Sequence, residues 1–175
     1  MRLVRTAIAT PLGKMLALAS DAGLCALEFE PADRAGRLER GLQRWFPALT
    51  LEDGTTTVLG LTRAWLSAYF DGTAADSTGL PLDLRGSPFE QRVWSALLDI
   101  PPGATSTYGM IARQLGAPGA ARAVGMANGA NPVAIIVPCH RVIGSDGTPT
   151  GYGGGLERKE WLLKHEARWR PARLF

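Results

Sequence analysis

The chain has 175 residues, 46% of them hydrophobic and 20% charged, enough to bury one sizeable core or two smaller ones. No apolar run approaches the roughly 20 residues of a membrane-spanning helix, and the first ten residues hold no signal-peptide core, so membrane and exported classes are set aside and a cytosolic or nuclear setting is expected. The net charge of +3 is uneven: residues 1–85 carry nine Lys/Arg against ten Asp/Glu and residues 86–175 ten against six, which permits a polyanionic partner for the second half without requiring one.

Three strands are predicted first, over 3–9, 14–19 and 24–29, separated by Pro11-Leu12-Gly13 and Asp21-Ala22-Gly23, which makes an antiparallel meander. Cys25 lies in the alternating third strand, where a small packed thiol fits. Leu38, Leu42, Trp45 and Phe46 recur at helical spacing, as do Val58, Leu61, Trp65 and Tyr69, so amphipathic helices are predicted over 33–46 and 55–70. Residues 71–85, rich in Gly, Asp, Ser, Thr and Pro, read as a linker or long loop. The first domain, 1–85, is therefore α+β.

A second domain, 86–175, opens on Ser87-Pro88-Phe89-Glu90, a capping box with proline at the first helical position. Phe89, Val93, Trp94, Leu97 and Leu98 form one face behind it until Pro101-Pro102 stops the helix. Helices over about 107–115 and 120–130, joined by a tight Gly/Pro turn, make a helix-turn-helix pattern. The second of these is built almost wholly of small residues, with Arg122 as its single long cation. Such a helix either packs closely on another or lets its backbone approach a ligand surface, and each glycine in it costs about 1 kcal/mol relative to alanine. Both uses stay open at this point.

Residues 134–137, Ala-Ile-Ile-Val, are predicted as a short buried strand that runs into Pro138-Cys139-His140-Arg141-Val142. Cys139 is a nucleophile candidate because an imidazole adjoins it. A cysteine with an ordinary pKa of about 8.5 needs a base or positive field to become thiolate at neutral pH. Neighbours in extended backbone point to opposite sides, so contact with His140 requires a turn or a bridging water. His165-Glu166 ends a predicted helix containing Leu156, Trp161 and Leu162, and a carboxylate there can orient the His140 ring. Spacing does not decide which of the two faces inward. A buried structural thiol remains the alternative for Cys139. With two cysteines, two histidines and no Cys-x-x-Cys pair, no structural zinc or other metal site is expected, and no cofactor motif is visible.

Pro138-Cys139-His140-Arg141-Val142 resembles the active-site signature of the O6-alkylguanine-DNA alkyltransferase family. Arg122-Ala123-Val124-Gly125, Asn131-Pro132, Tyr152 with Gly154-Gly155-Leu156, and the run Lys159-Glu160-Trp161-Leu162-Leu163-Lys164-His165-Glu166 fall in that family's order and spacing. The likeness is strong over about 86–167 and reaches the first half only through its strand-then-helix outline. It implies a ribonuclease H-like first domain and a winged helix-turn-helix-like second one. It also implies DNA repair by single-turnover, irreversible transfer of an alkyl group from O6 of guanine, and leaves activity on O4-alkylthymine open.

By the same resemblance Cys139 is the alkyl acceptor, activated through a water by His140, which Glu166 holds. Asn131 links the recognition helix to the active-site segment. Tyr108 contacts the target's phosphate and flipped base, and Arg122 enters the base stack in its place. Ala120, Ala121, Ala123 and Gly125 let the helix lie in the minor groove of double-stranded DNA, independent of sequence. Met126, Val142, Tyr152 and Gly153 belong to the base pocket, and a monomer is implied. Gly153 stands where some relatives have serine and Ala134 where some have proline, which leaves the preferred adduct size open. A cysteine hydrolase would use the same Cys139, His140 and Glu166 but leave Arg122 and the small-residue helix unexplained. A pure DNA-binding or regulatory module would leave Pro138 to Val142 and Glu166 without a role.

Overall fold

A computed structural model describes residues 1–30, 35–73 and 76–169, and within it the chain divides into two compact units. The first comprises Met1–Gly86 together with Pro132–Ala134, and the second Ser87–Asn131 with Ile135–Phe175.

In the first unit, β1 (Arg2–Thr10), β2 (Gly13–Ala19) and β3 (Leu24–Phe29) form the expected antiparallel meander. Gly13, at φ 115°, closes the β1–β2 turn in a region that L side chains avoid. Helix α1 (Ala35–Trp45) follows; the start expected at residues 33 and 34 lies outside the described residues. A fourth strand, β4 (Thr50–Asp53), pairs parallel to β1 and was not expected. All four of its residues are exposed, so it carries no apolar alternation to betray it. Leu3, Leu18, Cys25, Ala26, Leu42 and Phe46 form a core cluster between sheet and α1. Helix α2 (Thr57–Asp71) is capped by the Thr56 hydroxyl, which accepts from the Leu59 N–H, and ends on Gly72 in the left-handed region.

The stretch expected as a linker is tied to the sheet where it is described. Leu24 N–H donates to the Pro81 carbonyl and Asp83 N–H to that of Leu24, each at 2.9 Å. Asp83 also accepts from Ser20 Oγ at 2.6 Å and from Arg85 Nε at 2.6 Å. Three residues along β3, Leu27 N–H donates to the Pro132 carbonyl and the Leu27 carbonyl accepts from Ala134 N–H, both at 2.9 Å. Two short bridges thus cover the edge of β3, which would otherwise present unpaired backbone groups.

The second unit opens with α3 (Pro88–Leu98) and the capping box written in its sequence: Glu90 N–H donates to Ser87 Oγ and Ser87 N–H to the Glu90 carboxylate. Val93, Trp94, Ala96 and Leu97 are its buried face, while Leu98, expected inside, is exposed. Trp94 Nε1 donates to the Ala127 carbonyl at 2.9 Å, fastening α3 to α5 (Ala121–Gly129). Helix α4 (Tyr108–Gln114) is capped by Thr107, and Gly116 at φ 74° ends it before the turn into α5. Strands β5 (Ser106–Thr107) and β6 (Val142–Ile143) pair in parallel, and α6 (Leu156–Glu166) completes the unit.

The strand expected over 134–137 does not form. Ala134 to Ile136 turn, with Ile135 at φ 69°, and the strand nearest Cys139 is β6, which follows it. Four consecutive buried apolar residues satisfy a buried strand and a buried turn equally, and periodicity does not separate them.

Candidate active site

Cys139 begins a single 3₁₀ turn, Cys139–Arg141, instead of ending a strand. Pro138 precedes it at φ −84°, ψ 62°, and Cys139 N–H donates back to the Val137 carbonyl at 2.8 Å, the hydrogen bond of an inverse γ-turn. The tight turn supplies what extended backbone lacks, a way for adjacent side chains to serve one site. Cys139 and His140 are both buried.

His140 Nε2 lies 2.7 Å from Glu166 Oε1. Glu166 also accepts from Arg141 Nε at 2.8 Å and Nη2 at 2.8 Å, a bidentate pair, while Arg141 Nη1 donates to the Ile100 carbonyl at 2.6 Å. Burial alone would raise the Glu166 carboxyl, but the hydrogen bonds and charges of Arg141 and His140 overcome it and hold the group well below the carboxylate range. A permanent carboxylate only accepts, so His140 Nε2 carries the hydrogen and Nδ1 presents its lone pair. Nδ1 is buried and has no hydrogen-bond partner. Burial pushes the imidazole pKa down and outweighs the upward pull of Glu166, with Arg141 and Lys159 adding to the fall. The sequence neighbour of Cys139 is thus a neutral imidazole whose Nδ1 lone pair is free to accept a proton.

Of the pair left undecided by spacing, Glu166 is the inward one. His165 is buried instead among aromatics, stacked on Trp161 at 4.7 Å and edge-on to Trp169 at 5.0 Å.

Helix α5 presents two faces. Arg122, Ala123 and Met126 are exposed, with Met126 at 74%, whereas Val124, Ala127 and Asn128 are buried and Ala120, Ala121 and Gly125 lie between. Met126 therefore shares the exposed face of Arg122, and the helical 100° step turns Asn128 inward. Asn128 Nδ2 donates to the Cys139 carbonyl at 3.4 Å, and Asn131 Nδ2 to that of Val137 at 2.8 Å. Gly125 faces Tyr108, whose ring would lie 3.7 Å from an added Cβ. Tyr108 Oη reaches the Thr150 carbonyl at 3.4 Å, next to the segment that carries half-buried Tyr152 and Gly153. The Tyr152 hydroxyl is buried without a partner, and burial, then the charge of Cys139, raises its pKa far above the usual.

One residue without an expected role stands out. Lys159 is 0% exposed, and its ammonium donates to the carbonyls of Val142 at 2.6 Å, Thr150 at 2.8 Å and Gly151 at 3.3 Å. It clamps β6 to the segment before α6, between Cys139 and Tyr152 in chain order. Burial lowers its pKa and the charge of Cys139 raises it. On an amphipathic helix a lysine reads as a solvated residue, so spacing gave no signal of this role.

Two family models match the chain: the ribonuclease-like domain of 6-O-methylguanine DNA methyltransferase over residues 3–84 and its DNA binding domain over residues 88–168. The methylated-DNA–protein-cysteine methyltransferase of Salmonella typhimurium is 47% identical over 167 residues, covering 95% of this chain and 96% of that protein. That of Mycolicibacterium paratuberculosis is 62% identical over 109 residues, 62% of this chain and 66% of the relative. Among solved structures, the O6-methylguanine methyltransferase of Mycobacterium tuberculosis superposes with a TM-score of 0.80 at 44% identity, covering 97% of this chain and 96% of that one. Mycobacterium tuberculosis OGT in complex with DNA gives 0.78 at 43%, covering 98% and 96%.

Proposed function

The chain belongs to the 6-O-methylguanine DNA methyltransferase family, and from that premise we propose that it repairs alkylated DNA by moving the alkyl group from guanine O6 onto Cys139. The observation that carries the reading is the buried series Arg141, Glu166, His140, ending in an unpartnered Nδ1 next in sequence to the cysteine. The Cys139 thiol proton passes through a bridging water to Nδ1. The thiolate attacks the alkyl carbon, the C–S bond forms as the C–O6 bond breaks, and the electron pair left on the guanine is neutralised by the proton returned along the same path. The product is a thioether, which has no carbonyl for water to attack, so the protein reacts once.

Delivery of the base falls to α5. With Ala120, Ala121, Ala123 and Gly125 small, the helix backbone approaches the minor groove closely and independently of sequence, and exposed Arg122 fills the gap left by the flipped nucleotide. Tyr108, Val142, Tyr152 and Gly153 line the pocket for the base. An alkylated guanine pairs poorly, which lowers the few kcal/mol of unstacking and favours damaged sites before any chemistry.

Limiting protein mixed with excess O6-methylguanine duplex is expected to repair at most one lesion per molecule, with a methyl-sized mass gain on the Cys139 peptide. Sustained turnover, or repair with Cys139 unmodified, would overturn the reading in favour of a hydrolytic mechanism.

A further inference from the structure

Two asparagines leave α5 and its C-terminal end three residues apart and reach the same short segment. Asn131 holds the Val137 carbonyl, which also takes the Cys139 N–H, and Asn128 holds the carbonyl of Cys139 itself, which also takes the Val142 N–H. The carbonyl of the reacting residue and that of Val137, two residues before it, are thereby each held by one side-chain amide, one from α5 and one from just past its end. Asn131 has a role through the family resemblance; Asn128 has none.

Packing does not explain Asn128. The residue is 7% exposed, and its Oδ1 is buried with no hydrogen-bond partner. A leucine of similar size would fill the same place without a desolvated acceptor. The orientation of the amide is set by chemistry, because turning it over would oppose its oxygen to a carbonyl oxygen. The donor end therefore faces the residue that reacts, and the unsatisfied acceptor is the cost of keeping it there.

We propose that Asn128 is a positioning residue for alkyl transfer: it holds the Cys139 carbonyl from α5 and so fixes the direction from which Sγ meets the alkyl carbon. This rests on the reading of Cys139 as acceptor. Because α5 is also the helix placed on DNA, one element both presents the base and aims the thiol. Loss of alignment by about 1 Å slows a reaction by as much as ~100-fold while leaving binding intact.

The test is single-turnover transfer from O6-methylguanine duplex, measured over a range of duplex concentrations for wild type, N128L and N128D. N128L is expected to melt at the wild-type temperature or above and to keep its half-saturating concentration, with a saturating rate lower by about tenfold or more. N128D keeps the shape but sets a charged acceptor against the Cys139 carbonyl. Its rate is expected to fall further, and the pH profile of Cys139 alkylation by iodoacetamide to move to higher pH. The added charge shifts that profile whatever the role of Asn128, so the separating readout is uncharged N128L, in which a merely structural residue would leave the saturating rate at the wild-type value. Wild-type saturating rates in both variants, or a loss confined to the half-saturating concentration, would overturn the proposal. Failure of both to fold would also overturn it, making Asn128 a structural residue. If wild type itself transfers no methyl group, the repair reading fails, and the rate of Cys139 alkylation by iodoacetamide in uncharged N128L, which needs no DNA, still decides whether Asn128 acts on the thiol: a wild-type rate says that it does not.

Discussion

Glu166 accepts from Arg141 through both oxygens and from His140 through one, so its charge is matched without solvent. Both members of the His140–Glu166 pair then make the fold sensitive to acid, in two windows. His140 is held neutral in the fold by burial, against about 6.5 when unfolded, so protons favour the unfolded chain and stability falls as pH drops below about 6.5. Glu166 has its folded pKa depressed, so its contribution is present above the unfolded value of about 4.3 and is lost as pH falls further. Melting temperature should therefore decline between pH 6.5 and 5 in wild type and stay flatter in His140→Gln over that window. A wild-type melting temperature constant from pH 7.5 to 5 would show that His140 is not the buried neutral base described. Lys159 is a second test at this scale. Lys159→Met leaves three carbonyls without their charged donor, and a hydrogen bond to a charged group contributes about 1.5–3 kcal/mol. Relief of the buried charge offsets part of that, so a net loss of about 2–4 kcal/mol is expected in denaturant titration. A loss below about 0.5 kcal/mol would place the ammonium in solvent.

At the scale of elements, what could be read in the sequence was local. The Ser87–Glu90 capping box, the Gly/Pro turn after α4 and the meander turns are hydrogen-bonding or glycine features that act within a few residues, and they appear where expected. The segment carrying the nucleophile was misread because residues 134–137 are specified by burial, not by period. β4 was missed because its pairing with β1 is backbone and exposed charge, Arg2 with Glu52 and Arg5 with Asp53. In α5 the residue types are legible but not their directions, so nothing in the sequence marks Asn128 as the one whose amide turns inward. Gly125 tests the reading of that helix. An added Cβ would meet only Tyr108, at ordinary contact distance, so alanine fits, and Gly125→Ala should stabilise the protein by up to about 1 kcal/mol. If small size there serves close approach to DNA, the same variant should bind lesion duplex more weakly in an anisotropy titration. Higher stability with unchanged affinity would remove Gly125 from the DNA-facing surface.

For the whole molecule, the division of the chain is not the division of the sequence into two halves. Pro132–Ala134 belongs to the first unit through the backbone of Leu27, yet it stands between Asn131 and Ile135, on the way into the turn that carries Cys139. The pairing uses the Leu27 N–H and carbonyl on the edge of β3 and leaves no polar backbone group of that pair open. A fragment of residues 87–175 keeps the capping box, the helix-turn-helix, His140, Arg141 and Glu166, but Ala134 N–H loses its acceptor and the Pro132 carbonyl its donor. The lead-in to the nucleophile is then held from one end only, by Asn131 on Val137. The fragment is expected to transfer methyl at least about tenfold more slowly than the full chain, since small misplacements of reacting groups cost that much. Its Ala134 amide should exchange rapidly with deuterium, and adding residues 1–86 in trans should restore both protection and part of the rate. A fragment that transfers at the full-chain rate would show that the second unit sets the Cys139 turn unaided, and that the Leu27 pairing serves only to close the edge of the sheet.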